Sequence, residues 1–194
     1  MKNLILFIVA IIAYSTLANA QVDQSAIKKD VKNISKEESA LKKEKKVERK
    51  QLRKLNGMEV SYQAKQQFGI DFPKITEVRW IRTTNFDEAT FIKSGKEMKA
   101  FYDDHAQLVG TSNAVTFAEL PKRAQKYINE KYKDFSIGPV VFFDDNEFNE
   151  TDMILYGIQF DDEDSYFVEL TKNDKKIVVR SNSSGDVTYF KDLK

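Results

Sequence analysis

Residues 24–55 contain no Pro or Gly and are dominated by Lys, Glu, Leu, Ala and Gln, which are good helix formers. Stepping by four and three from Ile27 reaches Val31, Ile34, Glu38, Leu41, Lys45, Glu48, Leu52 and Leu55. Six of these nine positions are apolar. The pattern predicts an amphipathic helix whose seam is interrupted by charge in its middle. Asn56-Gly57 supplies the stop.

From Glu59 the period changes. Glu59 to Phe68 reads as a short helix closed by Gly69 and ended by Phe72-Pro73. Alternating runs follow at 77–82, 89–93, 98–102 and 107–110, punctuated by Asn85, Ser94-Gly95 and Asp103-Asp104. They predict antiparallel strands joined by hairpins. A second helix opens at Leu120-Pro121 and carries Ala124, Tyr127, Ile128 and Tyr132 on one face. Apolar runs then recur at Val140–Phe143, Ile154–Phe160, Tyr166–Leu170, Ile177–Arg180 and Val187–Phe190, separated by Asp-, Asn- and Ser-rich turns.

Both halves therefore read as a helix followed by strands. The predicted fold is α+β: two tandem helix-plus-four-strand repeats form an antiparallel sheet with helices on one face, preceded by a long charged N-terminal helix. That arrangement leaves the opposite sheet face open. Ile154, Tyr156, Ile158 and Phe160 alternate with Met153, Leu155 and Gln159, so both sides of that run are partly apolar. A one-sided sheet should alternate more cleanly. Either the N-terminal helix or strand twist covers the second face, or a partner does.

The first twenty residues have a different character. Lys2 precedes an apolar run from Leu4 to Ala13, and Ala18-Asn19-Ala20 forms a small-x-small site before Gln21. This predicts an export signal cleaved after Ala20. The expected organisation is 1–20 signal peptide, 21–57 basic helix, 58–117 first repeat and 118–194 second repeat. The expected location is periplasmic or secreted, with no transmembrane segment in the mature chain.

Composition then narrows the chemistry. The chain has 194 residues, no Cys and a single His. Disulfides, thiolate metal centres, thiol nucleophiles and paired-histidine metal sites are excluded. The formal net charge of +1 conceals segregation. Residues 28–54 hold 12 Lys/Arg against 5 Asp/Glu, a net of +7, whereas 56–194 hold 18 against 24, a net of −6. The basic helix could be a solvated element docking on its own acidic head, an adhesive for an anionic envelope surface, or a self-associating stripe. Nucleic acid is not an expected partner, because the basic run has no interleaved aromatics.

The runs Asp71-Phe72-Pro73 to Trp80, Phe86-Asp87-Glu88-Ala89-Thr90-Phe91, Ala100-Phe101-Tyr102-Asp103, Leu120-Pro121 and Ile154 to Leu170 resemble the PepSY-like proteins of Bacteroidetes. These are small exported proteins whose repeats look like the β-lactamase-inhibitor fold. The resemblance covers Glu59 to Lys191 and rests on spaced aromatics and turns. It implies two helix-plus-sheet repeats and a periplasmic or secreted setting, and it carries no established activity. Asp103-Asp104-His105-Ala106 has His-Ala where the family usually shows Asp-Gly.

No nucleophile elbow, phosphate-binding Gly-rich loop or His-Glu-x-x-His motif occurs. No enzyme activity and no cofactor are therefore expected, and His105 reads as a turn residue. The acidic clusters containing Asp144, Asp145, Asp161 and Asp162 offer hard oxygen ligands for Ca²⁺, but lack the spacing of a calcium-binding helix–loop–helix. The leading expectation is a non-enzymatic exported module, binding or inhibitor-like. It would recognise a protein or peptide of the cell envelope through sheet-face aromatics, with Trp80, Phe101, Tyr156 and Tyr166 as the candidate contacts. The alternatives are an envelope adhesion protein using the basic helix and a Ca²⁺-responsive acidic-loop protein.

Overall fold

A computed structural model describes residues 24–55, 57 and 59–193. The predicted export signal lies outside these residues. The chain divides into two compact units between Glu48 and Arg49. Helix α1 spans Gln24–Leu55, and Gly57 beyond it takes a φ of +74°, the left-handed conformation that ends helices.

Helix α2 covers Tyr62–Asp71, starting three residues later than expected and running through Gly69. Its start is set by Ser61, whose Oγ accepts from the Ala64 amide at 3.0 Å. Strands β1 (Val78–Arg82), β2 (Asp87–Lys93), β3 (Lys96–Tyr102) and β4 (Leu108–Val115) follow. A 3₁₀ turn at Phe117–Glu119 leads to helix α3, Lys122–Lys131. Then come β5 (Ser136–Asp145), β6 (Met153–Leu155), β7 (Ile158–Phe160), β8 (Ser165–Lys172), β9 (Lys175–Asn182) and β10 (Val187–Leu193).

The fold is α+β with a large antiparallel sheet. Eight strands pair in the order β1-β2-β3-β4-β5-β8-β9-β10. Only β6 and β7 leave the meander, as a separate two-stranded ribbon. Alternation sorts the side chains into two layers. On one face Ala64 and Phe68 of α2, with Phe72, pack on Ala89, Phe91, Ala100 and Tyr102. Phe68 meets Phe91 edge-on at 5.0 Å and the half-buried Trp80 at 5.5 Å, and burying Phe68 and Phe91 contributes about 1.5–3 kcal/mol each. Farther along the same face, Leu120, Ala124 and Ile128 pack on Val140, Val168, Leu170, Ile177 and Val179. Tyr127, expected on the apolar side of α3, is exposed; its hydroxyl accepts from Lys131 Nζ at 2.6 Å.

The second face carries a further core: Phe86, Phe101, Val109, Phe143, Met153, Phe160, Phe167 and Val178. It revises the expectation of an open face. The run Ile154–Phe160 is not one strand of the sheet. Tyr156 and Gly157 have φ of 52° and 77°, a tight reversal that folds the run into the ribbon, and the ribbon covers part of the second face. Gly110 allows the layer to close: a Cβ there would lie 2.5 Å from Phe143 Cζ, so only glycine admits that ring.

The two turns closing β3–β4 and β9–β10 share one geometry. Asp103 Oδ1 accepts from the amides of His105 and Gln107, as Asn182 Oδ1 accepts from the Asp186 amide. Ala106 at φ 59° occupies the left-handed position held by Gly185 at φ 84°. The His-Ala departure therefore leaves the turn's form intact, at the expense of strain at Ala106.

Candidate functional site

The ribbon is fastened at three points. At its base, Arg180 Nε donates to Ser165 Oγ at 2.9 Å and Nη2 to Glu163 Oε1 at 2.6 Å. The same guanidinium lies 4.8 Å from the centre of the Phe160 ring, a cation–π contact. At its tip the Lys191 ammonium donates to the Tyr156 carbonyl, and Tyr156 Oη donates to Glu169 Oε1 at 3.3 Å. The Tyr156 phenol is pushed up to about 12, first by burial and then by the Glu169 carboxylate. On the entry side, Asn149 Nδ2 and Thr151 Oγ1 both donate to Asp103 Oδ2 at 3.3 Å. Asn146 Nδ2 donates to the Leu108 carbonyl at 2.6 Å. Asp103, Asn149 and Thr151 are all buried, so the acidic 146–152 loop is held by hydrogen bonds to the first half's closing turn.

Beside the ribbon a groove of about 390 Å³ runs over β2, β3, β4 and β5. Phe101, only 3% exposed, lies at its floor with Val141. Ile154, Leu155 and Tyr156 of the ribbon make one wall. Glu88, Glu97 and Lys99 carry charge along the opposite side, and Ser112 and Asn113 add polar groups. An apolar floor with a charged rim suits a segment that presents apolar side chains flanked by charge. A second depression, about 540 Å³, lies at the β1 edge between Lys74–Arg79 and Thr90–Ile92. It has no wall comparable to the ribbon.

The four expected contact residues fall on both faces. Phe101 and Tyr156 line the groove. Trp80 packs on the helix side, 5.9 Å from Tyr102. Tyr166 packs on that side too, with its ring 4.6 Å from Phe142. The groove also recruits Ile154, Leu155, Glu88 and Lys99, which sequence reasoning left out. A glycine inside an otherwise strand-like run, Gly157, was the available signal for a hairpin.

The acidic positions take different environments. Asp144, Asp161 and Asp162 are exposed. The Asp145 amide donates to Asp164 Oδ1 at 3.0 Å. Partial desolvation by the surrounding chain, and then the Asp164 charge, raise both the Asp144 and Asp145 carboxyls above their ordinary value. Among the described residues no three His, Cys, Asp or Glu side chains come together to hold a metal ion. His105 is exposed at its turn, where its backbone amide, rather than its ring, bonds Asp103.

Helices on one face of an antiparallel meander, with a ribbon across part of the other, define the architectural class. The overall fold is similar to that of solved structures from Bacteroides. A DUF2874 family protein from Bacteroides uniformis matches at 14% identity and TM-score 0.57, over 69% of this chain and 90% of that one. A BLIP-like protein from Bacteroides fragilis matches at 17% identity and TM-score 0.54, over 72% and 91%. A protein described provisionally as periplasmic, from Bacteroides eggerthii, matches at 12% identity and TM-score 0.57, over 70% and 90%. These likenesses establish a common fold. No family model and no curated relative matches the chain.

Proposed function

We propose that this protein is an exported, non-catalytic binding module that seats a peptide or protein segment in the groove beside the β6–β7 ribbon. The observation that carries the reading is the buried Phe101 floor faced by Ile154, Leu155 and Tyr156 and rimmed by Glu88, Glu97 and Lys99. A preformed apolar slot on a rigid sheet needs little ordering when a partner arrives, which favours affinity per contact. The BLIP-like fold supports a binding role, and the Ala18-Asn19-Ala20 site together with the Bacteroides eggerthii likeness supports export. Within the module, 58–117 and 118–194 act as tandem units. Each has a helix followed by four strands of the main sheet, and their closing turns, at Asp103 and Asn182, match.

A photo-crosslinking amino acid at Lys99, on the groove rim, and another at Lys126, on exposed α3, test the assignment in cells. Adducts are expected from position 99 and lost when Leu155→Arg fills the groove, with folding verified by circular dichroism. Equal adducts from both positions, or adducts indifferent to Leu155→Arg, would refute the groove as the contact surface.

A further inference from the structure

The main sheet ends differently at its two edges. Strand β10 carries a bulge between Tyr189 and Lys191, a device that turns an edge away from further pairing. Strand β1 instead pairs with β2 in unbroken register over all of Val78–Arg82. The direction of its free backbone groups follows from the next hairpin. Ser94-Gly95, with φ of 53° and 77°, is a two-residue turn, so Lys93 and Lys96 beside it are a hydrogen-bonded pair. Alternation then makes Glu88 and Thr90 bond Ile81 and Arg79. The Thr83 amide, bonded to the Phe86 carbonyl at 2.9 Å, fixes the same parity from the other end. The N–H and C=O groups of Val78, Trp80 and Arg82 therefore point out of the sheet. Among the described residues no backbone bond from outside the sheet meets them. Arg79 and Ile81 alternate with Trp80 and so lie on the second face, where Arg79 is exposed and Ile81 is 53% exposed.

We propose that a second copy of this chain adds at the β1 edge, antiparallel about Trp80, to give a closed two-fold dimer. This goes beyond the groove, which lies beside the ribbon. Strand β1 is complementary to itself in that register. The outward groups of Val78, Trp80 and Arg82 meet those of Arg82, Trp80 and Val78 of the second copy, so each donor finds an acceptor. Arg79 then stands opposite Ile81 of the second copy in a non-hydrogen-bonded pair, where side chains approach most closely. Its stem covers that isoleucine, and its guanidinium is carried toward Glu88, the β2 residue beside Ile81. The two-fold axis repeats the contact. Sliding the strands by two residues one way sets Arg79 against its own copy, and sliding them the other way leaves Val78 unpaired. Charge and hydrogen bonding thus select one register and one occupant.

Light scattering of the full chain over a dilution series tests the proposal. Wild type is expected to pass from monomer to twice that mass as concentration rises. Ile81→Lys places an ammonium on the edge at a side chain already half in water. It should keep the melting temperature of the diluted monomer and abolish the dimer. Arg79→Glu should weaken association at least about tenfold, since the two-fold axis doubles each change. Adding Glu88→Arg to Arg79→Glu should restore the dimer, because the attraction returns with its signs exchanged. Circular dichroism verifies that each variant folds. A wild type that stays monomeric, a dimer indifferent to Ile81→Lys, or a charge exchange that restores nothing would overturn the proposal. Leu155→Arg, which fills the groove, should dimerise like wild type, so the two readings fail separately.

Discussion

Asp87 is the most informative single position in the sheet unit. Its side chain is fully buried and that of Arg82 is 6% exposed. The carboxylate accepts Arg82 Nε at 2.7 Å on Oδ1 and Arg82 Nη2 at 3.0 Å on Oδ2. Oδ2 also accepts the Ser61 amide at 3.1 Å, one residue before α2 begins. The pair thus ties the β1–β2 hairpin to the start of the helix that covers it. In Asp87→Ala the guanidinium stays buried without its forked partner, a loss that costs about 3–5 kcal/mol, and the Ser61 amide loses its acceptor for about 1 kcal/mol more. The terms overlap, so about 4 kcal/mol is expected. Replacing both members, Arg82→Met with Asp87→Leu, removes the stranded charge and should recover at least about 2 kcal/mol of that. Urea unfolding followed by the fluorescence of Trp80, the only tryptophan, measures it, with far-ultraviolet circular dichroism as a second probe. With a slope of about 2 kcal/mol per molar urea, Asp87→Ala should shift the midpoint by about 2 M. A shift under about 0.5 M at unchanged slope, or a double variant no better than Asp87→Ala, would refute the reasoning.

Three other expectations follow from the same packing logic. Phe160→Ala removes a ring that touches Phe143 at 5.3 Å and Phe167 at 5.0 Å and should cost about 3–5 kcal/mol in urea unfolding; amide exchange should quicken first across residues 153–160. Gly185→Ala adds both left-handed strain and a Cβ 2.9 Å from Arg123 Cβ, and should cost at least about 2 kcal/mol. The matching Ala106→Gly trades strain relief against a buried methyl and should stay within about 1 kcal/mol of wild type in thermal melts. Asp145→Asn should raise the Tm at about pH 7. Burial and Asp164 raise this carboxyl above its ordinary 3.8, so its neutral form favours folding below that value and the benefit disappears as pH rises through the folded-state value. The variant's advantage should therefore shrink as the pH is lowered toward about 4.

The contrast between a helical N-terminal stretch and a strand-rich remainder was readable from the amino acids, because it depends on local composition. A helix at Gln24–Leu55 needs only good formers and an end signal. The hairpin at Ser94-Gly95 needs only a turn that accepts positive φ. The ribbon was harder to read, since Ile154–Phe160 alternates like a strand and the residue before its glycine is a tyrosine, an uncommon choice for φ 52°. Of the candidate contacts, Phe101 and Tyr156 meet at one groove because sheet register and ribbon position bring them together. Trp80 and Tyr166 have the same sequence character and face the helices instead.

Sequence alone determined the +7 and −6 segregation and the alternation that makes strands, because each is a property of neighbours within a few residues. Tertiary structure decided what covers the second face. A hairpin and a full strand of equal apolarity bury similar area locally. Only the distant partners Arg180, Lys191 and Asp103 fix the ribbon's position on the second face, by contacts with Phe160, the Tyr156 carbonyl and Thr151.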